Sequence, residues 1–164
     1  YIEMIRLKTS VLLAAALKIG ACLAGASTEE AQKLYDFGVK MGLAFQLQDD
    51  WLDVYGDPKV FGKNIGGDIL CNKKTFMLIT ALEEANEEQR AALEGWLAAR
   101  EYVPAEKIAA VTALYNEIGV GKRCQEMAEA LNAEGFAVLD SINLPEERKA
   151  VLREYACSML NRNV

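Results

Sequence analysis

Phe45-Gln46-Leu47-Gln48-Asp49-Asp50-Trp51-Leu52-Asp53-Val54-Tyr55-Gly56-Asp57 closes the longest stretch of helical spacing in this 164-residue chain. Upstream of it, Leu34, Phe37, Met41 and Phe45 recur at the three- and four-residue intervals of one helix face, and Leu52 extends the stripe. Ser27-Thr28-Glu29-Glu30 has the form of a capping box. The spacing therefore predicts a helix from about Thr28 to Val54, stopped by Gly56-Asp57-Pro58. The chain has seven aspartates, and three of them fall between Asp49 and Asp53. At this composition Asp-Asp-x-x-Asp arises by chance in about one chain in a hundred, so the cluster calls for an explanation.

On a helix, Asp49 and Asp53 lie one turn apart on one face, with Asp50 beside them. Like charges at that spacing repel by a few tenths of a kcal/mol. They also sit near the negative end of the helix dipole, and aspartate is a poor helix former. Local rules broken together point to function. A hard divalent cation would relieve the repulsion, and an oxygen-only ligand set suits magnesium, which is commonly shared with substrate phosphates. Taken alone, the cluster also fits a solvated acidic helix end. The basic residues shift the balance. Lys8 and Thr9 interrupt an apolar first helix, Lys63 lies in Gly62-Lys63-Asn64-Ile65-Gly66-Gly67-Asp68, and Lys73 and Lys74 stand at the next helix start. Each has a local alternative: Lys8 as the polar edge of a buried helix, Lys63 and Lys73 as ordinary loop charges. Acids that hold magnesium together with lysines that hold phosphate describe a diphosphate site. The glycines fit neither a Walker loop nor a Rossmann fingerprint.

The rest of the sequence reads as helices. Tyr1 to about Ala24 is expected to form one helix, apolar nearly all round from Val11 and so buried, closed by Gly25. Asp57 to about Cys71 reads as a long loop. Helices are expected over about Lys73 to Ala85, Glu87 to Ala99 and Pro104 to Ile118, the last with proline in its first turn. Gly119 and Gly121 mark a break. A helix from about Lys122 to Leu139 follows, and a last one opened by Pro145 buries Leu152, Tyr155, Met159 and Leu160. No strand and no repeat is legible, which makes residues 1–164 one all-α helical bundle. Gly 12 and Pro 3 are few, in keeping with helices.

Composition excludes several classes of function. Hydrophobic residues at 52% and charged residues at 26% are globular values, not those of a disordered tail. A net charge of -6 argues against nucleic acid as partner. No apolar run reaches a membrane span. Histidine is absent, which removes histidine triads and histidine-rich metal sites. The four cysteines have no Cys-x-x-Cys spacing, so free thiols in a reducing cytoplasm are expected.

At this point the residues support a resemblance. Phe45-Gln46-x-x-Asp49-Asp50-x-x-Asp53-x-x-Gly56-Asp57, followed by Gly62-Lys63-x-x-Gly66-x-Asp68-Ile69 and Lys73-x-Thr75, resembles the second aspartate-rich motif of the trans-isoprenyl diphosphate synthases. Met4-Ile5-x-Leu7-Lys8-Thr9 resembles the Lys-Thr segment of that family. The resemblance implies the class I isoprenoid synthase fold and a prenyltransferase that condenses an allylic diphosphate with isopentenyl diphosphate, using magnesium. It implies that Asp49 is the main metal ligand, with Asp50 and Asp53 assisting. It places Lys8, Lys63 and Lys73 at the allylic diphosphate, Thr9 and Gln46 beside the reacting carbons, and Phe45 facing the second substrate. It also implies a homodimer. The family has a first aspartate-rich motif ahead of the Lys-Thr segment, and this sequence contains none. The chain therefore reads as the C-terminal portion of a synthase, inactive alone and exposing faces that other helices cover. Competing readings are a non-catalytic helical subunit of a partner synthase, and a fragment of a class I terpene cyclase.

Overall fold

The computed structural model describes residues 1–58 and 65–160, the last of these without its side chain. Among the described residues the chain is all helix and turn. The order is α1 (Ile2–Ile5), a π-helical turn (Arg6–Ser10), α2 (Val11–Leu23), α3 (Thr28–Tyr55), α4 (Gly67–Leu70), α5 (Phe76–Glu84), α6 (Glu87–Ala98), α7 (Pro104–Ile118), α8 (Val120–Asp140) and α9 (Glu146–Leu160). Two compact units result. One is formed by Asp49–Gln125 with Tyr1, and the other joins Ile2–Gln48 to the described residues from Glu126 to Leu160.

In the unit containing α1 and α2, small residues let helices approach closely. A β-carbon at Gly38 would lie 2.7 Å from Ala14 Cα, and one at Gly42 would lie 2.8 Å from Ser10 Cα, Cβ and Oγ. Glycine at these two positions thus seats the first helical stretch on α3. Phe37, Met41, Leu139, Ile142 and Ala156 form the buried cluster, with Leu17, Leu34, Phe136 and Leu152 packed against it. Gly42→Ala forces Ser10 or its backbone to move. It is expected to lower stability by about 1–3 kcal/mol as an overpacking change, read as a fall of several degrees in melting temperature.

Several sequence expectations change here. The first helix is not one regular helix, because Arg6–Ser10 widens into a π turn that contains Lys8 and Thr9. Such turns are rare and gather at functional sites. Nor is α2 buried all round: Leu12 is 78% and Leu23 85% exposed, and Ile19 lies on the same open stripe. Gly25 ends this helix with a positive φ of 82°, as expected. Only half of the expected capping box forms. Ser27 Oγ accepts from the Glu30 N–H at 3.2 Å, but the Glu30 carboxylate turns to Lys33 and to the Asn143 N–H. Tyr155 on α9 is 62% exposed rather than buried, and Ala156 takes the inward position.

In the other unit, α7 begins on Pro104 and is closed by Gly119 at a φ of 83°. The break expected to run through Gly121 ends at Gly119. Gly121 is helical, and a β-carbon there would meet the Tyr55 ring at 2.7 Å. The stretch expected as loop to Cys71 contains α4, introduced by Gly66 at a φ of 85°. The following helix starts three residues later than expected, at Phe76, because Thr75 is its N-cap: Thr75 Oγ1 accepts from the Leu78 N–H at 3.3 Å. Lys73 and Lys74 therefore precede α5. Helices α4, α5 and α6 each pack on α7.

Candidate functional site

The site is built on the last two turns of α3 and on the short segment from Gly66 to Lys73 that folds back on them. Asp50 is 3% exposed. The Tyr1 hydroxyl donates to its Oδ2, and the Lys73 ammonium donates to its Oδ1 at 3.1 Å. Burial pushes the Asp50 carboxyl above its usual range. The hydrogen bond from Tyr1 and the charge of Lys73 pull the other way without cancelling it. Burial, and then the bond to Asp50, push the Tyr1 phenol upward in turn.

Asp53 lies one turn on. Its Oδ2 accepts the Asp68 backbone N–H at 2.9 Å, while the Gly66 N–H donates to the Asp53 carbonyl. The left-handed Gly66 bends the chain tightly enough to bring the start of α4 against the acidic helix end. Burial raises the Asp53 carboxyl, and the charge of Asp68 adds to it. Lys73 closes the arrangement, donating to Asp68 Oδ2 at 2.7 Å. Burial works against the ammonium, but the bonds and charges of Asp68 and Asp50 outweigh it, so Lys73 is held more firmly protonated than a free lysine.

The structure thus brings Asp50, Asp53, Asp68 and Lys73 into one network. Asp49 is half-buried, one turn before Asp53 on the same helix. Phe45 and Gln46 are half-buried on α3, one turn before Asp49 and Asp50. In the other unit, the π turn presents Lys8 exposed and Thr9 half-buried. Lys63 lies outside the described residues. Two participants have no role assigned by the sequence. Tyr1 is separated from Asp50 by 49 positions and carries no local signal. Asp68 was noted in the sequence without a role, and its side chain and backbone now link Lys73 to Asp53.

The donor chemistry suits a hard cation. The acids at the end of α3 offer only oxygens, and Asp50 and Asp53 carry a burial penalty that added positive charge would relieve. Among the described residues, no three acidic or thiol side chains converge enough to hold an ion by themselves. Asp49, Asp50 and Asp53 are the groups that would hold such a cation, and Lys73 is the ammonium nearest to them in the network, bonded to Asp50 and Asp68.

A family model described as polyprenyl synthetase matches residues 1–118. A short chain isoprenyl diphosphate synthase of Methanothermobacter thermautotrophicus is 38% identical over 157 residues, covering 94% of this chain and 43% of that protein. A geranylfarnesyl diphosphate synthase of Natronomonas pharaonis is 36% identical over 164 residues, covering 99% of this chain and 46% of that protein. A crystal structure of a geranylgeranyl pyrophosphate synthase superposes with a TM-score of 0.90 at 34% identity, covering 100% of this chain and 51% of that one. A second, from Corynebacterium glutamicum and complexed with isoprenyl diphosphate and magnesium, gives a TM-score of 0.86 at 32% identity over 99% of this chain and 47% of that one. The chain spans about half the length of the proteins it matches. Among the described residues, no helix is long and apolar enough to cross a membrane.

Proposed function

Since the chain belongs to the polyprenyl synthetase family, we propose that it is the C-terminal portion of a magnesium-dependent prenyltransferase, carrying the second aspartate-rich motif and binding the diphosphate of an allylic substrate. The observation that carries this reading is the Lys73 ammonium, held between Asp50 and Asp68 at the end of the acidic helix. A buried carboxylate and a lysine waiting on it form a site whose charges a metal and a diphosphate can exchange into.

Bound magnesium would stabilise the negative charge that develops on a departing diphosphate. In the reaction proposed, the allylic carbon–oxygen bond breaks and its electron pair leaves with the diphosphate. The double bond of isopentenyl diphosphate then forms the new carbon–carbon bond, and a proton is lost to the departed diphosphate. Lys73 and Lys8 bind and orient the diphosphate, and Lys63 belongs to the same role. Thr9 and Gln46 offer oxygens beside the reacting carbons, where they stabilise positive charge without a covalent bond. Phe45 faces the second substrate. Tyr1 and Asp68 hold Asp50 and Lys73 in place. Association into a homo-oligomer is part of the same reading, with the exposed stripe of α2 left for the rest of the protein or a second copy to cover, and the four free cysteines accord with a cytoplasmic site of action.

A thermal-shift titration with magnesium and inorganic diphosphate tests the reading on this chain. At 100 times the dissociation constant, a ligand adds about 2.7 kcal/mol of stability, or roughly 5–10 °C at this size. The expected result is a magnesium-dependent shift that disappears in Asp49→Ala. A wild-type chain that ignores both ligands together overturns the diphosphate site.

A further inference from the structure

Lys107 is 1% exposed, on the face of α7 that also carries the buried Val111 and Tyr115. Lysine is almost never fully buried unless its charge is partnered. Among the described residues, its partners are not carboxylates. The ammonium donates to Asn72 Oδ1 at 2.7 Å and lies 4.3 Å from the centroid of the Tyr102 ring. Both contacts lead to one short segment. Tyr102 donates its hydroxyl to the Leu70 carbonyl at 3.2 Å. Asn72 stands at a φ of 51°, a left-handed conformation in a residue other than glycine, and its Nδ2 donates to the Leu97 carbonyl at 3.1 Å. The next residue is Lys73. Its N–H donates to the Asp68 carbonyl at 2.9 Å, and its carbonyl accepts the Thr75 N–H at 2.8 Å.

Asparagine is among the few side-chain-bearing residues that adopt this conformation readily, commonly just past a helix end, and here the Asn72 N–H donates to the Ile69 carbonyl at 3.2 Å. What anchors the turn to the rest of the unit is the side-chain amide, held by the Lys107 ammonium at its oxygen and by the Leu97 carbonyl at its nitrogen. A buried cation held by an amide oxygen and an aromatic ring has no packing advantage over methionine, which would fill the same length. What it supplies is a grip on the turn. We propose that Lys107 is a positioning residue for Lys73: through Asn72 it fixes the turn that delivers the Lys73 ammonium to Asp50 and Asp68. The inference deepens the diphosphate reading by naming what holds its lysine in place.

The experiment uses the 164-residue chain with carbon-13 lysine and follows the Lys73 ε-methylene by NMR. A lysine fixed between two carboxylates shows two inequivalent ε-protons, whereas a freely turning one shows a single averaged signal. Lys107→Met removes the ammonium and keeps the length of the side chain. Asn72→Gly keeps positive φ accessible and removes the amide, so it severs the same link should Lys107→Met fail to fold. Each variant is expected to collapse the inequivalence at Lys73, and the double variant to do no more than either one. Each should also weaken binding of inorganic diphosphate with magnesium by about tenfold, the scale of a lost supporting contact. A purely structural lysine would change the melting temperature and leave Lys73 as in wild type. Inequivalent ε-protons that survive in a folded variant overturn the proposal, as does a single averaged signal in the wild-type chain. Only the binding arm depends on the diphosphate reading. If wild type binds no diphosphate, that reading fails while the ε-proton signals still decide the role of Lys107.

Discussion

Lys73→Ala sharply weakens the response to magnesium and diphosphate and destabilises the chain over a bounded range of pH. Asp50 is left 3% exposed, with Tyr1 as its remaining named donor. Breaking a fully buried ion pair by deleting one partner costs about 3–5 kcal/mol. Here the Lys73 side chain is 42% exposed, so water screens part of the loss, and about 1–3 kcal/mol is expected near neutrality. The pH dependence follows from the directions of the shifts. Asp50 has a raised folded pKa, so its charge destabilises the fold at pH values above that pKa and the penalty vanishes on protonation. Lys73 also has a raised folded pKa, so its contribution is complete below the ordinary lysine range and is lost as pH rises through the folded value. The gap between wild type and variant is therefore widest at neutral pH. It narrows in acid, as Asp50 loses its charge and only the pair with Asp68 is left to Lys73, and it closes in strong alkali, where Lys73 is neutral. Denaturant unfolding at a series of pH values measures this. A gap that persists unchanged in acid would remove Asp50 as the cause. For the ligand, truncating one member of a buried charge pair weakens binding by at least about 2 kcal/mol, or roughly 30-fold.

The parts of the structure that could be read in advance rest on local chemistry. Pro104 can begin a helix and Gly119 can end one, and α7 runs between them as expected. Helical spacing fixes which side of α3 carries Phe37 and Met41, and both are buried. The acidic cluster was legible because three carboxylates on adjoining turns violate local preference, and violations mark sites. Other features depend on what the chain meets elsewhere. An apolar helix announces that it should be covered, but not which surface covers it, and α2 keeps Leu12 and Leu23 open. Gly121 could be a breaker or a contact, and the Tyr55 ring against it decides for contact. Lys73 reads as a helix start until Thr75 is seen to cap the helix instead. Lys107 did leave a trace: it lies four and eight residues before Val111 and Tyr115, a lysine on an apolar stripe. Its meaning required Asn72, 35 positions away in sequence and brought to it only by the fold.

Combining Asp50→Asn with Lys73→Met should recover the stability lost in Lys73→Ala and none of the binding. Neutral side chains of similar size avoid the desolvation that the charged pair must bear. Replacing buried ion pairs in this way is commonly neutral or stabilising by about 1–4 kcal/mol. Asparagine retains one oxygen for the Tyr1 hydroxyl, and methionine fills the space of the lysine stem. Asp68 loses its bond from Lys73, a small loss for a carboxylate that is only partly buried, and its backbone N–H still serves Asp53. The double variant is therefore expected to melt at or above wild type at neutral pH and to show no shift with magnesium and diphosphate. The comparison separates two reasons for having these charges. Were they structural, the neutral pair would unfold more easily than wild type. Were they functional, as the diphosphate reading requires, folding improves and binding is lost, because the burial that raises Asp50 is the same burial that readies it for a cation. A double variant that is both less stable than wild type and still responsive to the ligands would contradict that account on each count.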